Sequence, residues 1–277
     1  MKSRWNIARL AGNALLMICA GVWMFPFYWA LVSSMKSEYQ IFRIPPEWFP
    51  LTPVFTSYID LFNRTKLVTW TFNSFFVSAA TTVLVCLIGC LAGYAFAKIR
   101  FRGSDIIFYT MIAAMMLPKY VLLVPLFRLM NTFGWFDTYA GLIVPEAASA
   151  LPFGVFLMRQ FVQSLPGELL EAAKVDGCTS FGIFARIVVP LTKPALAALS
   201  IFTFVRAWND YMWQMIVTKS DTMKTLPLGI AGLQQENVVI YGNVMAGAML
   251  SALPMIVVFI VFQKYFTRGL TLGAVKG

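Results

Sequence analysis

Six apolar runs, each long enough to cross a bilayer, leave this chain few ways to fold. They cover residues 10–33, 71–97, 106–130, 139–162, 195–217 and 244–266. The hydrocarbon core is about 30 Å thick and takes about 20 helical residues to cross. Apolar residues make up 59% of the 277 and charged residues 12%, where soluble domains hold about 45–50% and about 25%. The reading is one all-α membrane domain over residues 1–277 with six transmembrane helices. Lys2, Arg4 and Arg9 precede the first run as in a signal peptide, but its apolar stretch is too long and no A-x-A-like site follows. It reads as a retained anchor.

The net charge of +10 points to topology, not to nucleic acid, because the basic residues sit in short loops between the runs. Lys98, Arg100 and Arg102 follow the second run. Arg159, Lys174, Arg186 and Lys193 surround the loop after the fourth, and Lys264, Arg268 and Lys276 lie at the C-terminus. The opposite loops carry Lys36, Arg43, Arg64, Lys66, Lys219 and Lys224 over longer segments. Positive-inside then places both termini in the cytoplasm, with outer loops at 34–70 and 218–243, a cytoplasmic loop at 164–193 and a cytoplasmic tail at 267–277. Trp48, Phe49 and Trp70 are candidates for an interfacial aromatic belt, and residues 230–239 for a short interfacial helix.

The composition also excludes much chemistry. There is no histidine, the commonest metal ligand and general base. Cys19, Cys86 and Cys90 lie in apolar runs, so a disulfide framework is not expected; Cys86 and Cys90 share a helix face as small apolar residues. No paired-carboxylate or nucleophile–base motif stands out. Proline punctuates the runs: Pro118 and Pro125 the third, Pro145 and Pro152 the fourth, Pro254 the sixth. Each removes a backbone hydrogen bond and favours a kink.

The loop after the fourth run predicts two short helices. Ser164 is placed to cap the first, Pro166 suits a first turn, and Glu168 and Glu171 lie near the positive end of its dipole. Gly177 is placed as a stop, and Thr179 or Ser180 caps a second helix that ends before Pro190. Leu169, Leu170 and Ala173 are read as one face, flanked by Ala172. The first helix is too short to be stable alone, so it packs under the bundle and presents the rest of its surface to a partner.

Glu171, Ala172, Ala173, Gly177, Ile187 and Pro190 carry a spacing that resembles the signature of permease subunits of binding-protein-dependent ABC importers, with Val189 where leucine is usual. Trp208-Asn209-Asp210, Leu226-Pro227-Leu228-Gly229, Met158-Arg159-Gln160-Phe161 and the tail from Arg268 resemble its carbohydrate-uptake branch, in particular the maltose-type second permease. The resemblance covers most of the chain from about Thr71 onward. It implies a cytoplasmic ATPase-coupling role for those six residues, joined by Glu168 and Asp176.

Further expectations follow from the family likeness. They are two permease subunits forming one pathway, two cytoplasmic ATPase subunits, an extracytoplasmic solute-binding protein, and a sugar (a di- or oligosaccharide, or a related polyol or glycerol phosphate compound) moved by alternating access across a prokaryotic cytoplasmic membrane. The chain contains no G-x-x-x-x-G-K-[ST] phosphate loop, so ATP and Mg are expected on the partner ATPase, with no cofactor and no enzyme activity in this chain.

Polar groups inside the runs are the other candidates. Trp208, Asn209, Asp210, Tyr211 and Trp213 read as the lining of a sugar pathway, since amides bond hydroxyls and aromatic faces pack on C–H patches. The competing reading pairs Arg206 with Asp210 at i,i+4 and bonds Asn209 to another helix. Lys119 and Glu146 either touch solute or the companion permease, or form a structural pair. An ion-gradient-driven secondary transporter is the alternative, for which Glu146 is the one candidate relay carboxylate. A membrane-embedded enzyme would show convergent catalytic groups, and none stand out.

Overall fold

The computed structural model describes residues 2–99, 101–235 and 239–274, and the side chains of these apart from 2–8, 235 and 263–274. Among the described residues there are helices and no strand. In chain order they are α1 (Lys2–Ser34), α2 (Glu38–Ile41), α3 (Thr56–Arg64), α4 (Leu67–Lys98), α5 (Ser104–Ala114), α6 (Leu123–Thr132), α7 (Tyr139–Gln163), α8 (Gly167–Val175), α9 (Ser180–Ile183), α10 (Val189–Leu191), α11 (Lys193–Trp208), α12 (Met212–Val217), α13 (Leu226–Gly232) and α14 (Tyr241–Ala274). Four long helices, α1, α4, α7 and α14, suit a membrane crossing as continuous rods. Two further helix pairs are sharply bent: α5 turns by 96° into the segment Lys119–Thr132, and Ser180–Leu191 turns by 76° into α11. With each bent pair taken as one span there are up to six.

The third run is thus an elbow, not a kinked rod. Pro118 stands in extended backbone at φ −61°, ψ 125° and heads a 3-10 turn, Lys119–Leu122. Its ring disfavours helical backbone at Leu117 and it offers no N–H, so α5 cannot run through. Pro125 falls in the first turn of α6, where the missing N–H has no intrahelical partner, and it breaks nothing. Pro145 and Pro152 lie inside an unbroken α7, and Pro254 inside an unbroken α14. The fifth run is also corrected: its helix stops at Trp208, and α12 starts afresh at Met212.

The chain forms two compact units. One holds the residues up to Leu67 together with Gly229–Leu253. In it α1 shows Leu15, Leu16, Met17 and Ile18 each more than 60% exposed, a surface suited to hydrocarbon and not to water. The Pro-rich stretch 44–50 is irregular. Trp48 and Phe49 are exposed, and Trp48 packs on Phe25 and Trp29. Lys36 is buried beneath them, its Nζ donating to the Glu47 carbonyl and lying 4.8 Å above the Trp29 ring. Burial pushes the Lys36 ammonium below its usual range, against the pull of Glu47.

The other unit holds Val68–Leu228 and the last helix from Pro254. Its centre is the packing of α4, α7 and α11 around Val85, Cys90, Ala147, Met158 and Leu199. Cys90 is buried there as a small apolar residue, whereas Cys86 Sγ meets Ser200 Oγ at 3.2 Å. Glycine permits the closeness of α4 and α7: a Cβ at Gly93 would lie 2.6 Å from Met158 Cβ and 2.9 Å from the Arg159 nitrogen. Gly93→Ala is expected to cost about 1–3 kcal/mol of stability by overpacking, visible as a lower unfolding temperature in detergent. An unchanged temperature would show that the helices slide apart freely.

Two outer-loop expectations need correction. Trp70 is not at an interface; it is buried in α4, and its Nε1 donates to the Asp221 carbonyl at 2.9 Å. The helix in the last outer loop begins at Leu226, ahead of Ile230, and runs on as a 3-10 turn, Leu233–Gln235; residues 236–238 lie outside the described residues. Leu226, Leu228, Ile230 and Leu233 are all buried, so it is packed and not spread on a surface. Asp137 ties neighbouring loops together: in left-handed backbone at φ 58°, it accepts N–H bonds from Lys219 and Ser220 at 2.9 and 3.0 Å. Burial raises its carboxyl, but these two donors outweigh burial and hold it below the usual carboxylate range.

Candidate functional site

The loop between α7 and α11 is built by short-range rules. Ser164 closes α7, its Oγ donating to the Phe161 carbonyl at 2.7 Å; the residue ahead of α8 is Pro166. The cap position assigned to Ser164 is therefore held by Pro166, which makes no side-chain cap bond. At the other end Gly177 adopts φ 77°. Its N–H donates to the Lys174 carbonyl, and that of Cys178 to Ala173, at 3.0 and 2.9 Å. This is the paired bond pattern of a glycine stop. Thr179, of the two candidates, caps the next helix by accepting from Gly182 at 3.1 Å.

The second helix does not end before Pro190. It passes through a π turn, Phe184–Val188, into α10. Pro190 has no N–H for the carbonyl four residues back, and the Val189 N–H bonds five residues back, to Phe184. A widened turn accommodates the proline without a break.

The faces of α8 are divided differently from the expectation. Leu170 and Ala173 are buried with Ile183 and Val188 against Tyr94 and Val162, and Ile187 packs on the same cluster. Leu169 is not with them; it is 48% exposed. Around it stand the exposed Glu168, Glu171, Ala172 and Asp176, with Val175 at 88% and Phe181 at 70%. Gly177 and Pro190 are exposed too. The loop therefore presents an apolar stripe, Leu169–Ala172–Val175, edged by carboxylates.

A second constellation lies among the spans. Lys119, at the elbow, places Nζ 2.6 Å from Glu146 Oε2 and 3.2 Å from Asp210 Oδ1. Arg206 Nε is 3.1 Å from Glu146 Oε1, and its Nη2 donates to Ser149 Oγ at 2.7 Å. The i,i+4 pair of Arg206 with Asp210 is not made, because the helix ends between them. Two cations and two carboxylates thus join three elements. Lys119, Glu146 and Arg206, but not Asp210, border a cavity of about 450 Å³ whose lining also includes Ser149, Phe153 and Trp213 and is otherwise largely apolar. Glu146 is 3% and Asp210 9% exposed, whereas Lys119 and Arg206 keep 28% and 40%.

Of the predicted pathway residues, Lys119, Glu146, Asp210 and Trp213 come together here. Trp213 is buried, donating from Nε1 to the Gly141 carbonyl at 2.9 Å, and borders the cavity. Trp208 is buried and stacks on Phe204, and Asn209 turns back to the Val205 carbonyl at 2.9 Å, so its amide bonds its own helix. Tyr211 is half-buried. Arg206 is the cavity residue that sequence reasoning assigned to the wrong partner. Among the described residues no group of three metal-binding side chains is found.

Comparison with known proteins agrees with this architecture. Residues 85–272 match the family described as binding-protein-dependent transport system inner membrane component. The chain is 37% identical to the arabinooligosaccharides transport system permease protein of Bacillus subtilis, covering 99% of this chain and 98% of the relative. It is 32% identical to the sulfoquinovosyl glycerol transport system permease protein of Agrobacterium fabrum, over 96% and 95%. The fold matches a crystal structure of a bacterial ABC transporter involved in the import of the acidic polysaccharide alginate, with TM-score 0.83 and 24% identity over 94% of this chain and 97% of that one. The chain belongs to the binding-protein-dependent inner membrane permease family. It is a multi-pass protein of the bacterial inner membrane and a permease subunit of an ABC transporter, whose ATPase is a separate subunit.

Proposed function

We propose that this chain is one half of the membrane pathway of an ATP-driven oligosaccharide importer, coupled to its motor through residues 164–193. The observation that carries the reading is the exposed stripe Leu169–Ala172–Val175 on a helix held rigidly from behind by Leu170 and Ala173. Apolar side chains left in water on a polar loop mark a partner surface. The partner is the cytoplasmic ATPase: Glu168, Glu171, Ala172, Asp176, Gly177 and the exposed Pro190 meet it, while Ala173 and Ile187 hold the helix in place. Both termini then lie in the cytoplasm, and ATP and Mg are bound by two ATPase subunits. The tail expectation falls on α14, which continues to Ala274; residues 275–277 lie outside the described residues.

The oligosaccharide assignment rests on a full-length relative named for arabinooligosaccharides. A second permease subunit completes the pathway, and an extracytoplasmic binding protein delivers solute to the outer loops. The solute passes the cavity at Lys119, Glu146, Arg206 and Trp213. Movement is by alternating access, driven by the different affinities of ATP and binding protein for the two states. Ion-gradient coupling through Glu146 is disfavoured, since both its oxygens face cations within 3.1 Å. The test is solute-stimulated ATP hydrolysis by the whole complex, with its binding protein, across a panel of pentose and hexose oligosaccharides, polyols and amino acids. Stimulation confined to members of the oligosaccharide group supports the reading. Stimulation by amino acids alone would overturn it.

A further inference from the structure

We infer that Glu146 determines specificity by setting the charge of the cavity to zero, so that it takes uncharged oxygen-rich solutes and turns anions away. The inference rests on the proposed passage of solute through this cavity. The formal charges around it balance: Lys119 and Arg206 face Glu146 in the lining, and Asp210 backs Lys119 from outside it. They are not arranged symmetrically. The carboxylates are 3% and 9% exposed and lie against the cations, whereas the cations keep 28% and 40% of their surface. In a lining otherwise largely apolar, the polar groups a solute meets are therefore the spare N–H donors of an ammonium and a guanidinium backed by carboxyl groups. Sugar hydroxyl, ring and glycosidic oxygens accept such bonds. A carboxylated solute would lose its hydration on entry and find no net opposite charge to offset that loss.

Glu146 is the member on which this balance turns. It lies between both cations, one on each oxygen. Of the two cations Asp210 meets Lys119, at 3.2 Å, and it also accepts the Trp213 backbone N–H. Glu146→Gln keeps the shape and leaves the cavity with one uncompensated positive charge. Arg206→Gln moves the balance the opposite way, and the double variant returns it to zero. A functional role for the charge is separable from a structural one because the two readings treat the double variant differently: selectivity returns if charge matters, and does not if Glu146 merely props the spans.

The test uses the intact importer in detergent without its binding protein, so that delivery does not filter the probes. Labelled arabinotriose and maltotriose, and the aldonic acid of each, are measured by equilibrium dialysis. The unmodified complex is expected to favour the neutral trisaccharide by about tenfold or more, a difference of about 1.4 kcal/mol. Glu146→Gln is expected to narrow or invert that ratio, Arg206→Gln to widen it, and the double variant to restore it. If Glu146→Gln does not assemble, an unchanged ratio in Arg206→Gln alone would overturn the inference. Equal binding of both forms by the unmodified complex would overturn it and leave the pathway standing. Binding of neither form would overturn the pathway reading and this inference together.

Discussion

Replacing Glu171 with proline is expected to stop solute uptake while the subunit still inserts in the membrane. Residue 171 is the fifth of nine in α8. A proline there removes an interior N–H bond and sets its ring against the preceding turn, at about 3 kcal/mol or more. A helix this short has no reserve of its own; it persists because Leu170 and Ala173 are packed. Its unwinding scatters Leu169, Ala172 and Val175, so the surface offered to the motor is lost as a shape. Uptake in reconstituted vesicles and solute-stimulated hydrolysis should both fall by about tenfold or more, the effect of about 1.4 kcal/mol lost at the contact. A milder companion is Val175→Asp. Val175 is 88% exposed, and such surface changes alter stability by only about 0.5 kcal/mol. Normal unfolding with impaired coupling in that variant would assign the defect to docking. Full uptake by Glu171→Pro would remove α8 from the coupling route.

The second large effect is expected at Lys119. Lys119→Met leaves Asp210 without its cation and Glu146 with Arg206 alone. Breaking a buried pair by removing one partner costs about 3–5 kcal/mol. The partial exposure of Lys119 places the expected loss near the lower end. It should appear as a marked drop in unfolding temperature and in yield from the membrane. Neutralising the whole set with Lys119→Met, Glu146→Gln and Asp210→Asn should recover much of the loss, because no carboxylate then stays unpaired. If the single and triple variants unfold alike, the ion pairs contribute little and the elbow is held by packing alone.

The elements that were legible in the sequence are those fixed by near neighbours. Gly177 stops α8 and Thr179 starts α9 as the residue types require. The continuous spans follow from apolar length. What was not legible depended on distant contacts. Pro118, Pro145 and Pro152 look alike in the sequence, yet only the first breaks a helix, since the other two sit in a rod packed against α4 and α11. Leu169 and Leu170 differ in fate only because Tyr94 and Val162 cover one side of α8. The pairing of Arg206 failed because i,i+4 logic presumes a helix through Asp210, and the helix had already ended at Trp208. Its true partner, Glu146, is far off in sequence and near only once α7 and α11 have packed.

The central claim is that α8 is the surface through which the motor acts, and proximity tests it most directly. A photo-crosslinking benzoylphenylalanine placed at Val175, in the assembled importer, should join this chain to the ATPase subunit on irradiation, with a yield that changes on adding ATP. The same group at Ile256, exposed on α14, should not. Equal crosslinking from both positions, or none from Val175 in a complex that hydrolyses ATP in response to solute, would contradict the account.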